Sequence, residues 1–352
     1  LHLSLRRQRQ MCIRDRNESY PYVALSAQTT GIHPSTGRIL TIDAVTFDDG
    51  GRVGEEFHAV INPGCDPGPR HTHGLSTHEV AQAPRFTRFL KSLDKLLDDR
   101  VLVTFDTPTT WGFIVSEARR AMSAAARANR SRKKRNGRRR QRVGHVPHPT
   151  QIVDLLAAAR RQGVVPTDLR IGAVADLIGV ASESPVANAE RAARPEAEIS
   201  REQTLKLVAM YMQLREHGEV PGRSPDELAA DRFGLQRSTV RVDAEKAGAA
   251  ADNPGKYSRE TGLRKGMEVV ITDDIALEPD TLIDAAVRAG LTYTEKLTRE
   301  SSVVVTDALA KGASPDELRG KAMHGHRNDI PLLTGEEFLT AVEQMGSAGR
   351  VH

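Results

Sequence analysis

Residues Val23–Pro34 read VALSAQTTGIHP, and the way the chain continues from this stretch decides the fold. Its apolar start belongs to a strand over Tyr22–Leu25, and Gly31 and Pro34 mark the turn that ends it. Beyond the turn, Arg38–Phe47 is rich in β-branched residues and reads as a second strand. DDGGR at Asp48–Arg52 supplies a hairpin turn, and a third strand follows through Phe57–Ile61. Three strands joined in this way form an antiparallel meander that opens an α/β domain. No residue of 23–34 is acidic: Ser26 and Gln28 are polar but uncharged.

Further along come HTHGLSTHEVAQAPRF (His71–Phe86), a helix over Phe86–Leu97 and a buried strand over Val101–Phe105. A helix from Trp111 to about Ala128 places Ile114, Ala118, Ala121, Met122 and Ala125 on one face, a core stripe. Helices are expected over Ile152–Arg161 and Leu169–Ile178, and a last one over Ser200–Glu216 with Gly218 as its C-cap. Residues 219–261 are rich in Ala, Gly, Asp and Arg and read as a linker. A second α/β pattern then begins: strand Glu268–Thr272, helix Asp280–Ala289, strand Ser302–Thr306, helix Gly320–His326, strand Pro331–Leu333, helix Gly335–Met345. Strands alternating with helices imply a parallel sheet.

VALSAQTTGIHP resembles the first motif of the DEDD-type 3′–5′ exonucleases (the DEDDh family of the DNA polymerase III epsilon subunit and RNase T), where a strand ends in Asp-x-Glu-Thr-Thr-Gly. His73, Gly74, Leu75, Ser76, Ala83, Pro84 and Phe86 resemble that family's His-Gly-Ile-Thr segment and its Ala-Pro-x-Phe. The likeness covers about 20–218 and implies a ribonuclease H-like exonuclease fold, a mixed sheet with an antiparallel meander flanked by helices. It also implies a site of four carboxylates holding two divalent ions, with a histidine as general base on the attacking water.

Residue by residue, that site has lapsed. Ser26 and Gln28 stand where the first two acids belong, and Thr110 in VTFDTPTTWGF (Val103–Phe113) stands where the third does. The last motif aligns with RAARPEA, which puts Arg191 at the general base and Glu196 at the fourth acid. Hard cations demand anionic oxygens, and a guanidinium cannot accept a proton from water. The expectation is therefore a pseudoenzyme without a metal cofactor. Two other readings stand beside it: an active Mg²⁺- or Mn²⁺-dependent 3′–5′ exonuclease using Asp43, Asp106 or Asp154 as shifted acids, and a scaffold that binds only proteins.

The second pattern, 262–348, resembles a BRCT domain through GLRKGMEVVIT, AGLTYTEKLTRESSVVVTD and GKAMHGHRNDIPLLTGEEFL. This implies a protein-docking module in DNA replication or repair, with Thr272 and Lys321 at the places where relatives hold phosphate. Asp273 departs from the usual glycine, Phe338 replaces the usual tryptophan, and a negative charge beside a phosphate favours protein docking over phosphopeptide capture.

The 352 residues carry a formal charge of +4. Arg127, Arg130, Arg132, Lys133, Lys134, Arg135, Arg138, Arg139, Arg140 and Arg142 form a tract without a single acid. With no aromatic residue for base stacking, the tract suits phosphate neutralisation and hence DNA or RNA. It begins at the far end of the helix that Thr110 opens, which predicts an anchor independent of the lapsed site. The histidines His58, His71, His73 and His78 are spaced for surface or capping roles, and Cys65 is a loop residue. MCIRDR (Met11–Arg16) resembles the translation of a sequencing adapter, so 1–19 is expected to be a disordered tail outside the fold. Two cysteines without a CxxC pair and no long apolar run point to a cytoplasmic protein with no membrane partner.

Overall fold

The computed structural model describes residues 19–31, 34, 36–133, 143–182, 194–229, 237–272 and 274–348, the side chains of 131–133 and 346–348 excepted. The expected tail up to residue 18, Asp273, Arg191 and the tract from Lys134 to Arg142 lie outside the described residues. The chain divides into two compact units between Arg237 and Ser238.

In the first unit the strands β1 (Tyr22–Thr29), β2 (Ile39–Phe47) and β3 (Val53–Val60) form the expected antiparallel meander. The short helices α1 (Arg70–His73) and α2 (Thr77–Gln82) precede a 3₁₀ turn at Phe86–Arg88 and α3 (Leu90–Leu97). Then come β4 (Val101–Thr104), α4 (Thr107–Lys133), β5 (Gln151–Asp154), α5 (Leu155–Arg161), α6 (Ile171–Leu177), α7 (Glu196–His217) and β6 (Gly222–Arg223). The sheet runs in the order β3-β2-β1-β4-β5-β6, with β4 parallel to β1, β5 parallel to β4 and β6 antiparallel to β5. It is the mixed sheet expected from the sequence.

All nine residues of β2 are buried, because helices cover both faces of the sheet. α7 sets Leu207, Met210, Tyr211 and Leu214 against Ala24, Val45, Phe47 and Val103. Each such side chain removed from water contributes about 2 kcal/mol. Tyr211 meets Tyr22 and Phe47 at ring-centroid distances of 5.2 and 5.7 Å, and the Arg215 guanidinium lies 5.4 Å from the Tyr211 ring centre. On α4, Trp111, Phe113, Ile114 and Ala118 are buried.

Several boundaries differ from expectation, each for a local reason. Ile152–Arg161 is not one helix. Ile152 and Val153 pair with Leu102 and Val103 as β5, and Asp154 starts α5 as its N-cap, accepting from Ala157 N at 2.8 Å. α7 begins at Glu196 rather than Ser200, directly after Pro195, and carries Glu196 and Glu198 in its first turn, where the helix dipole favours acids. Met122 is exposed instead of core: it lies about 80° round the helix from Ile114, beyond the stripe that Ala118, Ala121 and Ala125 complete.

The return of the chain after the basic tract is moored to α3. Asp94 Oδ2 accepts from His145 N at 3.0 Å, and Asp98 accepts from His145 Nε2 at 2.8 Å and His148 N at 2.7 Å. Gly144 (φ 111°) lets the backbone approach, since a Cβ there would fall 2.4 Å from Asp94 Oδ2. Burial holds the Asp94 carboxyl above its ordinary range.

The second unit holds α8 (Thr239–Ala247), β7 (Glu268–Ile271), α9 (Pro279–Arg288), β8 (Thr292–Tyr293), β9 (Val303–Val305), α10 (Gly320–Arg327), β10 (Leu332–Leu333) and α11 (Gly335–Ala348). Its sheet is parallel throughout, in the order β10-β9-β7-β8. Leu282 and Ile283 of α9 and Phe338 of α11 pack with Val269, Ile271, Val303 and Val305. The stretch 219–261, read as a linker, thus contributes β6 to one sheet and α8 to the other unit. β8, two residues long, was also not foreseen.

Candidate functional site

Sheet register brings three polar residues into one row. Ser26 of β1 pairs with Asp43 of β2, and Asp43 pairs with His58 of β3. Gln28 lies two residues beyond Ser26 and so shares its face. Over this row runs α7, which presents Glu196, Ser200 and Thr204 at four-residue spacing, one helical face.

Ser26 Oγ and Thr204 Oγ1 are 2.7 Å apart. Gln28 Nε2 donates to Glu196 Oε1 at 2.9 Å and to Ser200 Oγ at 3.3 Å, and Ser200 Oγ donates to the same Glu196 oxygen. His58 stands between two carboxylates, its Nδ1 3.2 Å from Asp43 Oδ2 and its Nε2 3.4 Å from Glu196 Oε2. Asp43 and Glu196 are 2% and 7% exposed. Hydrogen bonding to Asp43, then to Glu196, pushes the imidazole from its ordinary 6.5 up to about 9. At neutral pH it is a cation with a donor on each side.

The two-ion site implied by the exonuclease resemblance does not fit these residues. Gln28 turns its amide nitrogen, a donor, toward the one retained acid, and Ser26 is engaged with Thr204. The second acid in reach, Asp43, is separated from Glu196 by the imidazole. Gln28 Oε1, Asp43 Oδ1 and Glu196 Oε2 are buried without a hydrogen-bond partner among the described residues, and only the two carboxylates are anionic, too little charge to offset two dications.

The remaining sequence-derived positions fall elsewhere. Thr110 is buried in the first turn of α4, and no hydrogen bond among the described residues joins it to the cluster. Asp154 gives one oxygen to the α5 cap and the other to Thr107 N at 2.8 Å, so it fixes helix starts, while Asp106 accepts from Thr109. His73 is buried and accepts from Leu75 N at 3.1 Å, the capping role expected of it, and His71 and His78 are exposed. His58 is at the surface, as expected, but its ring also bridges two buried carboxylates, which was not expected. Its signal was its place in β3 opposite an acid of β2, visible only once the register is known.

In the second unit Thr272 Oγ1 donates to Val305 O at 2.9 Å and also meets Asp274, whose carboxylate accepts from Thr306 Oγ1 at 2.9 Å. Lys321 Nζ reaches Ile271 O at 3.4 Å. The two positions expected to hold phosphate therefore converge on the end of β7, with a carboxylate already seated on the hydroxyls. Arg127 and Arg130 of the basic tract are exposed on α4.

No protein-family model matches the chain, and no curated protein matches it. Among solved structures it is similar to exonuclease I at a TM-score of 0.37 and 16% identity over 56% of this chain and 41% of that one. Similar too are E. coli exonuclease I in complex with a dT13 oligonucleotide (TM-score 0.36, 15% identity, 56% and 41%) and the ExoI/SSB-Ct complex (0.35, 15%, 56% and 41%). The chain spans about two fifths of the length of these structures, and likeness at this level assigns neither an activity nor a residue role.

Proposed function

We propose that the chain is a nucleic-acid-binding protein built on an exonuclease-like fold that has lost 3′–5′ cleavage, with a BRCT-like second unit that docks a protein partner in DNA replication or repair. The observation that carries the loss of cleavage is His58 bridging Asp43 and Glu196. A protonated imidazole at the edge of the sheet supplies one positive charge where a nuclease has dications, and one oxygen of each carboxylate faces it. Mg²⁺ would have to displace a side chain already in contact with its ligands. The row Ser26–Asp43–His58 holds α7 to the sheet and acts on no substrate.

The second part of the reading is supported by the parallel sheet and by the order β7-α9-β9-α10-β10-α11, which matches the strand–helix alternation of the BRCT resemblance apart from the added β8. Asp274 on the Thr272 and Thr306 hydroxyls supports docking of a protein surface over capture of a phosphopeptide. No helix among the described residues is long and apolar enough to cross a membrane.

Incubation of the protein with an end-labelled DNA single strand and Mg²⁺ or Mn²⁺ tests the reading, beside the triple variant Ser26→Asp, Gln28→Glu, Thr110→Asp. The expected result is retarded strand at low salt with no shortening. Shortening by the unsubstituted protein overturns the loss of cleavage; absence of any salt-dependent retardation overturns nucleic-acid binding.

A further inference from the structure

A recess of about 480 Å³ opens on the first unit between α4, the start of β2 and the 3₁₀ turn, lined by Arg38, Arg85, Arg120 and Arg127 around one acid, Glu117. Glu117 is 2% exposed and belongs to its neighbours: Arg38 grips both its oxygens, one of them at 3.0 Å from Nη2, and Arg120 Nη1 reaches it at 3.1 Å. Arg120 also donates to the Gly37 and Pro34 carbonyls at 3.0 and 2.9 Å, which fixes the turn behind the recess. Glu117 thus pairs with Arg38 and Arg120 and positions both.

Arg85 is different. It is exposed, and its side chain makes no hydrogen bond or ion pair among the described residues. Its head rests on Gly64, where a Cβ would lie 1.9 Å from Nη1, and the left-handed backbone at φ 74° keeps that position open. The guanidinium therefore lies against the Gly64 backbone with no neutralising partner among the described residues. Ala121 and Ala124 floor the recess with short side chains, leaving room for a group the size of a phosphate.

Glu117, Arg120, Ala121, Ala124 and Arg127 lie along one face of α4, which leads to Arg130 and the start of the basic tract. From Arg120 to Arg130 the helix advances about 15 Å, roughly the axial span of five successive phosphates on one duplex strand. Resting on the nucleic-acid reading above, we propose that the arginine recess binds a backbone phosphate and that the nucleic acid runs from there along α4 past Arg127 and Arg130.

Fluorescence anisotropy of the full chain with a 5′-labelled 20-residue oligothymidylate, at salt between about 50 and 200 mM, reads this directly. R85Q removes the unneutralised recess charge, R52Q removes an exposed charge on the β2–β3 hairpin, and a third variant replaces the tract residues from Lys133 to Arg142 by serine. One lost phosphate contact predicts that R85Q weakens binding about fivefold at 0.1 M salt and lowers the slope of log K against log salt by about 0.7. R52Q leaves both unchanged. If R85Q binds like the unsubstituted protein, or no worse than R52Q, while the tract variant loses binding, the recess is overturned and nucleic-acid binding stands. Weakening by R85Q with an unaltered slope also overturns it. Failure of the unsubstituted chain to bind at any salt overturns both readings.

Discussion

Two charged regions of the first unit resolve the same difficulty in opposite ways. At the Ser26–Asp43–His58–Glu196 row the two carboxylates share one imidazolium, each ion facing a partner from a different element, and the charge is largely met within the fold. At the α4 recess a single buried acid lies among four guanidiniums, and Arg85 makes no hydrogen bond or ion pair among the described residues. A charge answered inside the protein stabilises it and has little left to offer a ligand; a charge held in place but left unanswered does the reverse. The contrast is the ground for proposing a binding role on the α4 side, where family resemblance alone would have directed attention to the row.

The contrast breaks most visibly at His58. Replacing it with alanine leaves Asp43 and Glu196 buried without their cation, and the expected cost is about 3 kcal/mol of unfolding free energy, read from urea midpoints. Affinity for oligothymidylate should stay the same in this variant; a loss of affinity with the fold intact would show that the row takes part in binding. A somewhat smaller effect appears with pH. The folded-state value of His58 lies above 6.5, so its contribution is complete below about pH 6.5 and is lost as pH rises through about 9. For a partly exposed ring this loss is on the order of 2 kcal/mol. Urea titrations across that range should show the decline in the unsubstituted protein and a flatter profile in H58Q. Smallest is Ser26→Ala, which removes the Ser26–Thr204 hydrogen bond while the Thr204 hydroxyl keeps the Ser200 carbonyl at 3.0 Å, and should cost about 1 kcal/mol in the same assay.

Much of the fold was legible because its signals are local. The β-branched runs, the DDGG turn and the Gly and Pro punctuation mark the meander, and strand–helix alternation marks the second sheet. Boundaries slipped where one residue decides between two states, as at Asp154, which converts an apparent ten-residue helix into a strand and a capped helix. The site was legible in part. Ser26, Gln28 and Glu196 come together as their motif positions imply, and Thr110 makes no hydrogen bond to them. His58 escaped because its role depends on cross-strand register and on α7, two non-local facts no spacing rule records. The recess escaped for a related reason: Arg38, Arg85 and Arg120 are dispersed in sequence and converge only when α4 crosses the meander, whereas the tract declares itself as a run.

The mooring of His145 and His148 on α3 has a consequence for the arginine-rich segment between Lys133 and Val143. Both of its borders are fastened to the same unit, one by α4 and the other by Asp94 and Asp98. A trypsin nick between them would free no domain: the β4–β5 ladder and α7 would keep the two fragments together through gel filtration, and only denaturant would part them.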